Sequence, residues 1–478
     1  MSNLVIAFTI LSFSSICILP LWRLYIHPLH AIPGPKLWIA FPILRYISLV
    51  RGTVEIDIRS STSNTAWQDI YNRGHGDQQL PKAPLPTDNP RSILHANNAN
   101  HTRFRRALSH AFSKKGLQEQ EPILNAYVDK FIRGLTEIST SHTPVIDMVK
   151  WYNLATFDMI GDLAFGQPFG GLDSGEYHHW ISTLFMAIRA MAWTIMADAH
   201  PLLSPILIPF LFLRRSLLIA LEEHLRYGTA VVQKRLGETR DRGPADFMAS
   251  MLRHRGDKEK ELTTSELDVN ANTLIIAGSE TTAALLAGVT YWLLRTPEAL
   301  QKVTKEVRTC MSSKADINFQ NCSQRLPFML ACLNEGLRLY PPVSGGQQRV
   351  TNSPSMMNIS GYMIPPGTKV SVHQSSAYLS SLNFYCPTKF LPERWLLPAK
   401  EDRTSPSYND NRDVFQPFSV GPRNCIGRNL AYAEMRLRLA RVLWHFDLEL
   451  CPESHGWEQQ RAIFLWEKKA LLCRIKKR

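Results

Sequence analysis

Apolar and polar positions change their spacing from one region of the chain to the next. Residues 117–310 place apolar side chains at the three- and four-residue intervals of amphipathic helices, with few Pro or Gly interruptions outside 166–175 and 201–209. From 341 to 389, Gly, Pro and β-branched residues become frequent, which predicts short strands and turns. Residues 429–446 return to helical spacing. This order predicts a mainly α protein with a smaller β-sheet element, an α+β fold, and argues against an alternating parallel sheet.

The N-terminal segment has a different pattern. Residues 1–22 carry no charged side chain and are mostly apolar from Leu4 onward, which is long enough for one membrane-spanning helix. Basic residues follow from Arg23, and this asymmetry predicts an anchor that leaves the rest of the chain in the cytosol. Residues 23–36, which end in Pro-Gly-Pro-Lys, then form a stiff basic linker to a globular domain over 37–478. A cleaved signal peptide is the alternative, although a basic n-region and a small-residue cleavage site are not evident.

A second apolar stretch, from Pro201 to Leu213, contains three prolines and is closed by two arginines. It is too short to span a bilayer. Two interpretations remain open: the stretch dips into a membrane surface and admits an apolar ligand, or it is a buried loop between two helices.

Composition and charge narrow the classes of function. The 478 residues are 45% hydrophobic and 20% charged, which is enough for a large core. The net charge of +13 suits nucleic acid, an anionic membrane or an acidic protein partner, but no nucleic-acid-binding module accompanies it, so we expect no nucleic-acid partner. The eight cysteines are scattered without a C-x-x-C pair, which argues against a disulfide framework or a zinc site and fits a reducing compartment.

Ten residues near the C-terminus carry the most specific chemical signal, Phe418-Ser-Val-Gly421-Pro-Arg423-Asn-Cys425-Ile-Gly427. The glycines let the backbone turn and approach a flat ligand, and a Cys that enters a helix is expected to have a lowered pKa. Backbone N–H groups can donate to the sulfur, and Arg423 can pair with a ligand carboxylate. The pattern predicts a loop that presents the Cys425 thiolate to a haem iron. The alternative is a surface turn with an inert Cys.

A second candidate site, Ala277-Gly278-Ser-Glu280-Thr281, lies within a predicted helix from about 265 to 294. Glycine in mid-helix is unfavourable by about 1 kcal/mol relative to Ala, so Gly278 indicates a packing or functional reason. A Thr hydroxyl can bond its own helix backbone and open a local distortion, and Glu280 beside Thr281 supplies an acid and a hydroxyl that can relay a proton. Without the Cys loop, a solvated Glu on a core helix would be the better interpretation.

Two further motifs supply charged residues. Glu335 and Arg338 lie on one face of a predicted helix, and with Arg394 of a Pro-rich segment they predict a charge-assisted network that holds the Cys loop. His101 and Arg105, four residues apart, are expected to bind ligand carboxylates from the side opposite the Cys-loop arginine. A solvated basic helix is the alternative for this last pair.

Together these residues resemble the cytochrome P-450 superfamily of haem-thiolate monooxygenases, over roughly residues 33–478. The Cys loop is highly specific, and the Glu-Thr helix, the E-x-x-R motif and the P-E-R-W segment stand in the family's usual order. The N-terminal anchor and Pro-Gly-Pro hinge resemble the microsomal class. The sequence around Cys425 resembles that of fungal enzymes of secondary metabolism.

The resemblance implies the cytochrome P-450 fold, preceded by the transmembrane helix, with haem b held through Cys425 as the proximal iron ligand. It implies that Glu280 and Thr281 deliver protons for cleavage of the O–O bond. It implies a structural staple of Glu335, Arg338 and Arg394. The residues that it implies as contacts of the haem or its propionates are His101, Arg105, Arg349, Arg423, Phe418 and Gly427.

The resemblance also implies a function. A haem-thiolate catalytic domain over 37–478 would hydroxylate or epoxidise an apolar small molecule, with electrons from NADPH through a membrane-bound NADPH–cytochrome reductase. It would lie on the cytosolic side of the endoplasmic reticulum membrane on a single-pass anchor. One alternative is a reductase-independent isomerase or lyase, members of which often lack the acid–Thr pair. The other is a non-catalytic haem-binding remnant, because the stretch from Gly52 to Asn64 lacks the Tyr-Gly…Arg pattern that opens the first strands of relatives.

Overall fold

The computed structural model describes residues 13–54, 64–72, 79–83, 92–142, 144–201, 205, 215–237, 246–253, 256–257 and 261–478. Helices occupy most of these residues. In chain order they are α1 (Leu19–Tyr25), α2 (Lys36–Ala40), α3 (Ile43–Arg51), α4 (Asn64–Tyr71), α5 (Asn98–Leu108), α6 (Lys114–Ser139), α7 (Met148–Phe165), α8 (Gly171–Ser174), α9 (His179–Ala199), α10 (Arg215–Gly237), α11 (Phe247–Leu252), α12 (Thr264–Arg295), α13 (Pro297–Cys310), α14 (Phe319–Gln324), α15 (Pro327–Leu339), α16 (Gln374–Tyr378), α17 (Leu397–Glu401) and α18 (Arg428–His445).

The strands are short and antiparallel. They are β1 (Val145–Asp147), β2 (Arg349–Val350), β3 (Met357–Ile359), β4 (Tyr362–Ile364), β5 (Lys369–Val370), β6 (Phe446–Leu450), β7 (Ala462–Ile463), β8 (Leu465–Trp466) and β9 (Leu472–Lys477). One sheet has three strands in the order β1-β9-β6, with Ile146 opposite Cys473, and the other three sheets have two strands each. The predicted α+β fold is confirmed, as are the short strands between 341 and 389. In the stretch from Gly52 to Asn64, which lacks the Tyr-Gly…Arg pattern of relatives, residues 55–63 lie outside the described residues.

Helix α12 runs through the centre of the protein. Its predicted extent is confirmed, and its first turn is fixed by a capping box in which the Thr263 and Glu266 side chains each accept from the other's backbone N–H. Between Leu267 and Leu293 most of its side chains are buried. An apolar helix buried on nearly all sides is held in place by packing on every face, so its register is well determined.

Two glycines allow close helix contacts in this core. A Cβ atom on Gly278 of α12 would lie 2.9 Å from Cδ1 of Ile160 on α7, and a Cβ atom on Gly336 of α15 would lie 2.2 Å from Cγ2 of Val289 on α12. The Ser279 hydroxyl donates to the Thr156 carbonyl of α7 at 3.3 Å. These contacts place the Gly278–Thr281 turn of α12 against α7, which accounts for the glycine that is unfavourable by local propensity.

The predicted membrane-spanning helix over residues 1–22 falls only partly within the described residues. Residues 1–12 lie outside the described residues, and Ser14–Ile18 and α1 are helical. Among the described residues, two helices are long and apolar enough to cross a membrane, α9 and α12. In α12, 72% of the apolar window is buried within the protein, as in the core helix of a globular domain. Most of the Pro201–Leu213 stretch also lies outside the described residues.

Candidate active site

The Cys loop is held by a close contact with α4, a hydrogen bond within the loop and a ring contact with α18. Gly421 has a φ of 77°, and a Cβ atom there would lie 2.1 Å from the Tyr71 carbonyl oxygen of α4, so only glycine fits. The Cys425 N–H donates to the Phe418 carbonyl at 2.9 Å and closes the loop. The Phe418 ring packs against Tyr432 of α18, with ring centroids 5.2 Å apart. The loop therefore holds the Cys425 side chain in one place before α18 begins.

The protein around Cys425 determines the pKa of its thiol. The residue is solvent-accessible, yet the protein around it raises its pKa through desolvation. The Gly427 N–H and the charges of Arg105 and Arg428 lower the pKa, but they do not outweigh burial. The expectation of a lowered thiol pKa was therefore wrong for the protein chain alone. A metal cation at the sulfur would offset the desolvation.

Gly427 is not required by the protein's own packing. A Cβ atom at this position would lie 3.6 Å from the Phe112 ring and 3.9 Å from the Cys425 sulfur, which are ordinary contact distances. The predicted cofactor contact of Gly427 stays a prediction.

Buried cations converge beside the Cys loop. Arg423 donates to the Gln79 side chain at 3.0 Å, to the Ala96 carbonyl at 2.7 Å and to the Asn98 side chain at 2.8 Å, while its Nη1 has no partner among the described residues. Arg349 is 2% exposed, and within the same part of the chain its Nε and Nη1 have no partner. An unpaired buried guanidinium nitrogen is costly, so these atoms indicate a missing acceptor.

The pKa values of four neighbouring basic residues also indicate a missing acceptor. We call these residues, Lys82, His101, Arg349 and Arg423, the cationic cluster. Burial lowers the pKa of Arg349 and of Arg423 to about 10, and that of Lys82 well below its usual value. Burial and four neighbouring cations lower the pKa of His101 to about 3. In the described part of the chain, no carboxylate accepts a hydrogen bond from this cluster. Two ionised propionates of a haem fit such a site in charge and in hydrogen-bonding chemistry.

Arg105 is bonded to the Cys loop itself. Its guanidinium donates to the backbone carbonyl and the side-chain oxygen of Asn424, at 2.7 and 2.6 Å. These bonds brace the residue before Cys425, and a role in propionate binding stays a prediction. Lys82 was not predicted, because it stands in an irregular stretch without a motif; backbone pairing of this stretch with the chain around Arg349 brings it to the cluster.

The Glu-Thr turn of α12 borders an internal space. Ala277 is exposed and Thr281 half-buried within a helix that is otherwise largely buried. The Thr281 hydroxyl donates to the Ala277 carbonyl at 2.5 Å, as predicted for a Thr that bonds its own helix. Glu280 is 1% exposed and forms an ion pair with Lys468, which lies between β8 and β9. The sequence did not reveal Lys468, because 188 residues separate the two partners.

Glu335, Arg338 and Arg394 are brought together in a fully buried network. Arg338 donates to both Glu335 oxygens at 2.7 and 3.0 Å, and Arg394 donates to Oε1 at 3.2 Å. The Trp395 indole and the Leu391 N–H also donate to this carboxylate, at 2.8 and 3.0 Å. These partners outweigh desolvation, so the pKa of Glu335 is lowered.

A second carboxylate balances the network. Arg394 also pairs with Asp410, a buried partner that no motif predicted. Arg338 further donates to the carbonyls of Tyr378, Pro387 and Lys389, at 2.6 to 3.0 Å. The network thus joins α15 to the irregular chain that leads towards the Cys loop.

Comparison with known proteins decides which family this site belongs to. The family model named Cytochrome P450 matches residues 70–474. The chain belongs to the cytochrome P450 family. It is 49% identical to the cytochrome P450 monooxygenase olcB of Penicillium canescens, over 97% of this chain and 98% of that protein. It is 50% identical to a trichothecene C-4 hydroxylase of Trichoderma arundinaceum, over 97% of this chain and 95% of that protein.

A more distant relative is a trichothecene C-15 hydroxylase of Fusarium sporotrichioides, which is 36% identical over 94% of this chain and 93% of its own length. The predicted family and enzyme class are confirmed, and the protein is a P450 oxidoreductase of the monooxygenase type. The family uses a haem with a Cys-thiolate ligand, and this P450 offers an accessible Cys425 thiol beside a cationic cluster that has no counter-anion among the residues the structure describes.

Proposed function

We propose that this P450 hydroxylates or epoxidises an apolar small molecule in fungal secondary metabolism. The net hydroxylation takes the substrate C–H bond, one O₂, two electrons and two protons, and gives a C–OH group and one water. Haem b, when bound, supplies the activation of dioxygen. In this proposal residues 37–478 are the catalytic domain.

One observation carries the proposal: the Cys425 thiol is accessible beside buried cations for which the described part of the chain supplies no counter-anion. Cys425 would be the iron ligand. Arg349, Arg423, His101 and Lys82 would hold the propionates. Arg105 would position the loop through Asn424. A polar site of this kind is complete only with a dianionic ligand, and the haem propionates supply that charge.

Glu280 and Thr281 would deliver protons on the side of the cofactor opposite Cys425. The Thr281 hydroxyl gives its hydrogen to Ala277, so its oxygen remains able to accept a hydrogen bond from a ligand or water. Glu280 is adjacent on the same turn and is buried with Lys468. A buried acid next to a hydroxyl that faces an internal space suits proton transfer to that space.

The electron donor would be an NADPH–cytochrome reductase, and residues 1–22 would anchor the enzyme in the endoplasmic reticulum membrane, with the catalytic domain in the cytosol. The names of two relatives refer to trichothecenes, which makes a trichothecene skeleton a reasonable first compound in a substrate panel. Other apolar polycyclic compounds complete that panel.

Isotope labelling tests the proposal. Microsomes with this P450 and a reductase are given NADPH, the substrate panel and ¹⁸O₂. A product that carries one ¹⁸O atom, and that requires NADPH and reductase, is the expected result. A rearranged product formed without O₂ or reductase would instead establish an isomerase or lyase. Haem binding without turnover of any compound would favour a non-catalytic remnant.

A further inference from the structure

Lys468 is a buried cation in a place where the proposed function needs a source of protons. Its side chain is 2% exposed and pairs with Glu280. Its Nζ also donates to the Asn153 side-chain oxygen at 3.3 Å. A buried Lys–Glu pair is expensive to form from hydrated groups and is often no more stabilising than apolar side chains, so the pair is weak evidence for a purely structural role.

The pair is connected to the protein surface on the side away from Thr281. The Asn153 amide donates to the Tyr177 hydroxyl at 3.2 Å, and Tyr177 is 37% exposed. The side chains Glu280, Lys468, Asn153 and Tyr177 therefore form a continuous polar chain through the apolar core around α7 and α12. Tyr177 accepts from Asn153, so this end of the polar chain reaches a partly exposed side chain.

We propose that Lys468 is the proton donor that protonates Glu280 during turnover. We further propose that solvent reprotonates Lys468 from the Asn153–Tyr177 end of this chain of polar side chains. The proposal rests on the proposed monooxygenase function. In the ion pair Glu280 is a carboxylate, so the Lys468 ammonium first gives one proton to it: an N–H bond breaks and an O–H bond forms. Protonated Glu280 then passes this proton towards Thr281 and becomes a carboxylate again. The neutral Lys468 amine takes its next proton from a hydronium ion of the solvent, which leaves water, and no electrons move.

The electrostatics of Lys468 suit this role. Burial lowers its pKa to about 7, so the ammonium can release a proton near neutral pH. The charge of Asp147 raises the Lys468 pKa but does not outweigh burial, and Glu280 of α12 pairs with the ammonium. Tyr177, at the other end of the polar chain, has its own pKa raised to about 12 and keeps its proton. A lysine in this state can alternate between charged and neutral forms, whereas an arginine cannot.

That difference gives the decisive variant. Lys468→Arg keeps the charge and the ion pair with Glu280 but does not release a proton. We expect it to bind haem with an unchanged reduced-CO spectrum while product formation falls about tenfold or more and the solvent isotope effect on turnover increases. Lys469→Arg, at the exposed neighbouring position, is the matched control and should behave as wild type. Product formation by Lys468→Arg within about twofold of wild type would overturn the proposal, because a structural ion pair would be restored by arginine.

A measurement without turnover tests the same point. Between pH 7 and 10.5 the unfolded chain binds more protons at Lys468 than the folded protein does, so folded stability should rise with pH in this window. The thermal midpoint, measured at a fixed scan rate, should therefore rise more steeply with pH for wild type than for Lys468→Met. This test does not require haem uptake by Lys468→Arg. Parallel curves would show that Lys468 does not titrate there and would overturn the proposal. Absent wild-type turnover with this Lys468-dependent slope would instead locate the failure in the proposed function.

Discussion

The Glu335 network and the cationic cluster are both groups of buried arginines, but only the first is complete. In the network, the Glu335 carboxylate accepts from five donors and Asp410 provides a second negative charge. In the cluster, Arg349 and Arg423 retain nitrogens without a partner in the described part of the chain, and their charges oppose protonation of His101 and Lys82. A complete network needs nothing else to be stable, whereas an incomplete one indicates that a ligand supplies the missing charge.

The largest effect is expected where the complete network is broken. Glu335→Gln leaves two buried arginines without their shared carboxylate, and we expect a loss of about 3–5 kcal/mol in the free energy of unfolding. The yield of folded, haem-containing protein reports this loss. Glu393→Gln is the matched control, because Glu393 is half-exposed and pairs with Lys302 at the surface. A folded Glu335→Gln protein with wild-type stability would contradict the structural role of the network.

The cationic cluster should respond in the opposite sense. Arg349→Met removes an unpaired buried charge, so the haem-free protein should be as stable as wild type or more stable. Haem retention should fall about tenfold or more, because one propionate partner is lost. Thermal unfolding of the haem-free protein and transfer of haem to apomyoglobin measure the two effects. Arg338→Met, in the complete network, should lower stability; if both variants lost stability equally, the distinction between the groups would be wrong.

The titration of His101 sharpens the comparison. In the haem-free protein its pKa is lowered from 6.5 to about 3 by burial and by neighbouring cations. The unfolded chain therefore binds more protons than the folded protein between these values, and stability falls as the pH falls from about 6.5 towards 3. Bound propionates should raise the His101 pKa and weaken this dependence. NMR titration of the imidazole with and without haem, with His101→Gln for assignment, measures it; an identical pKa in both forms would place the propionates elsewhere.

The smallest effect is expected from a single donor of the complete network. Trp395→Phe removes one hydrogen bond of 2.8 Å to Glu335 and leaves the other four. We expect a loss of about 1 kcal/mol in the free energy of unfolding with normal haem content. Chemical denaturation of the two proteins measures the difference. A collapse like that of Glu335→Gln would mean that the indole, and not the charges, holds the network.

Local sequence predicted the parts of the fold and site that depend on short-range pattern. The extent of α12 follows from apolar spacing. The turn at Gly421 was predicted from the glycine itself, and the close Tyr71 carbonyl explains why a glycine is needed there. Lys82, Asp410 and Lys468 were missed because each reaches its site through tertiary packing. The Cys425 pKa was misjudged for a related reason: helix position lowers it, but burial, which a sequence does not display, raises it more.

The most direct test of the account is the absorption spectrum of the reduced, CO-treated protein in microsomes, for wild type and Cys425→Ala. If Cys425 and the cationic cluster form the haem site, wild type shows the strongly red-shifted Soret band of thiolate-ligated haem, and the variant lacks it. A band typical of His-ligated haem in wild type, or identical spectra for the two proteins, would contradict the assignment of Cys425 as the iron ligand.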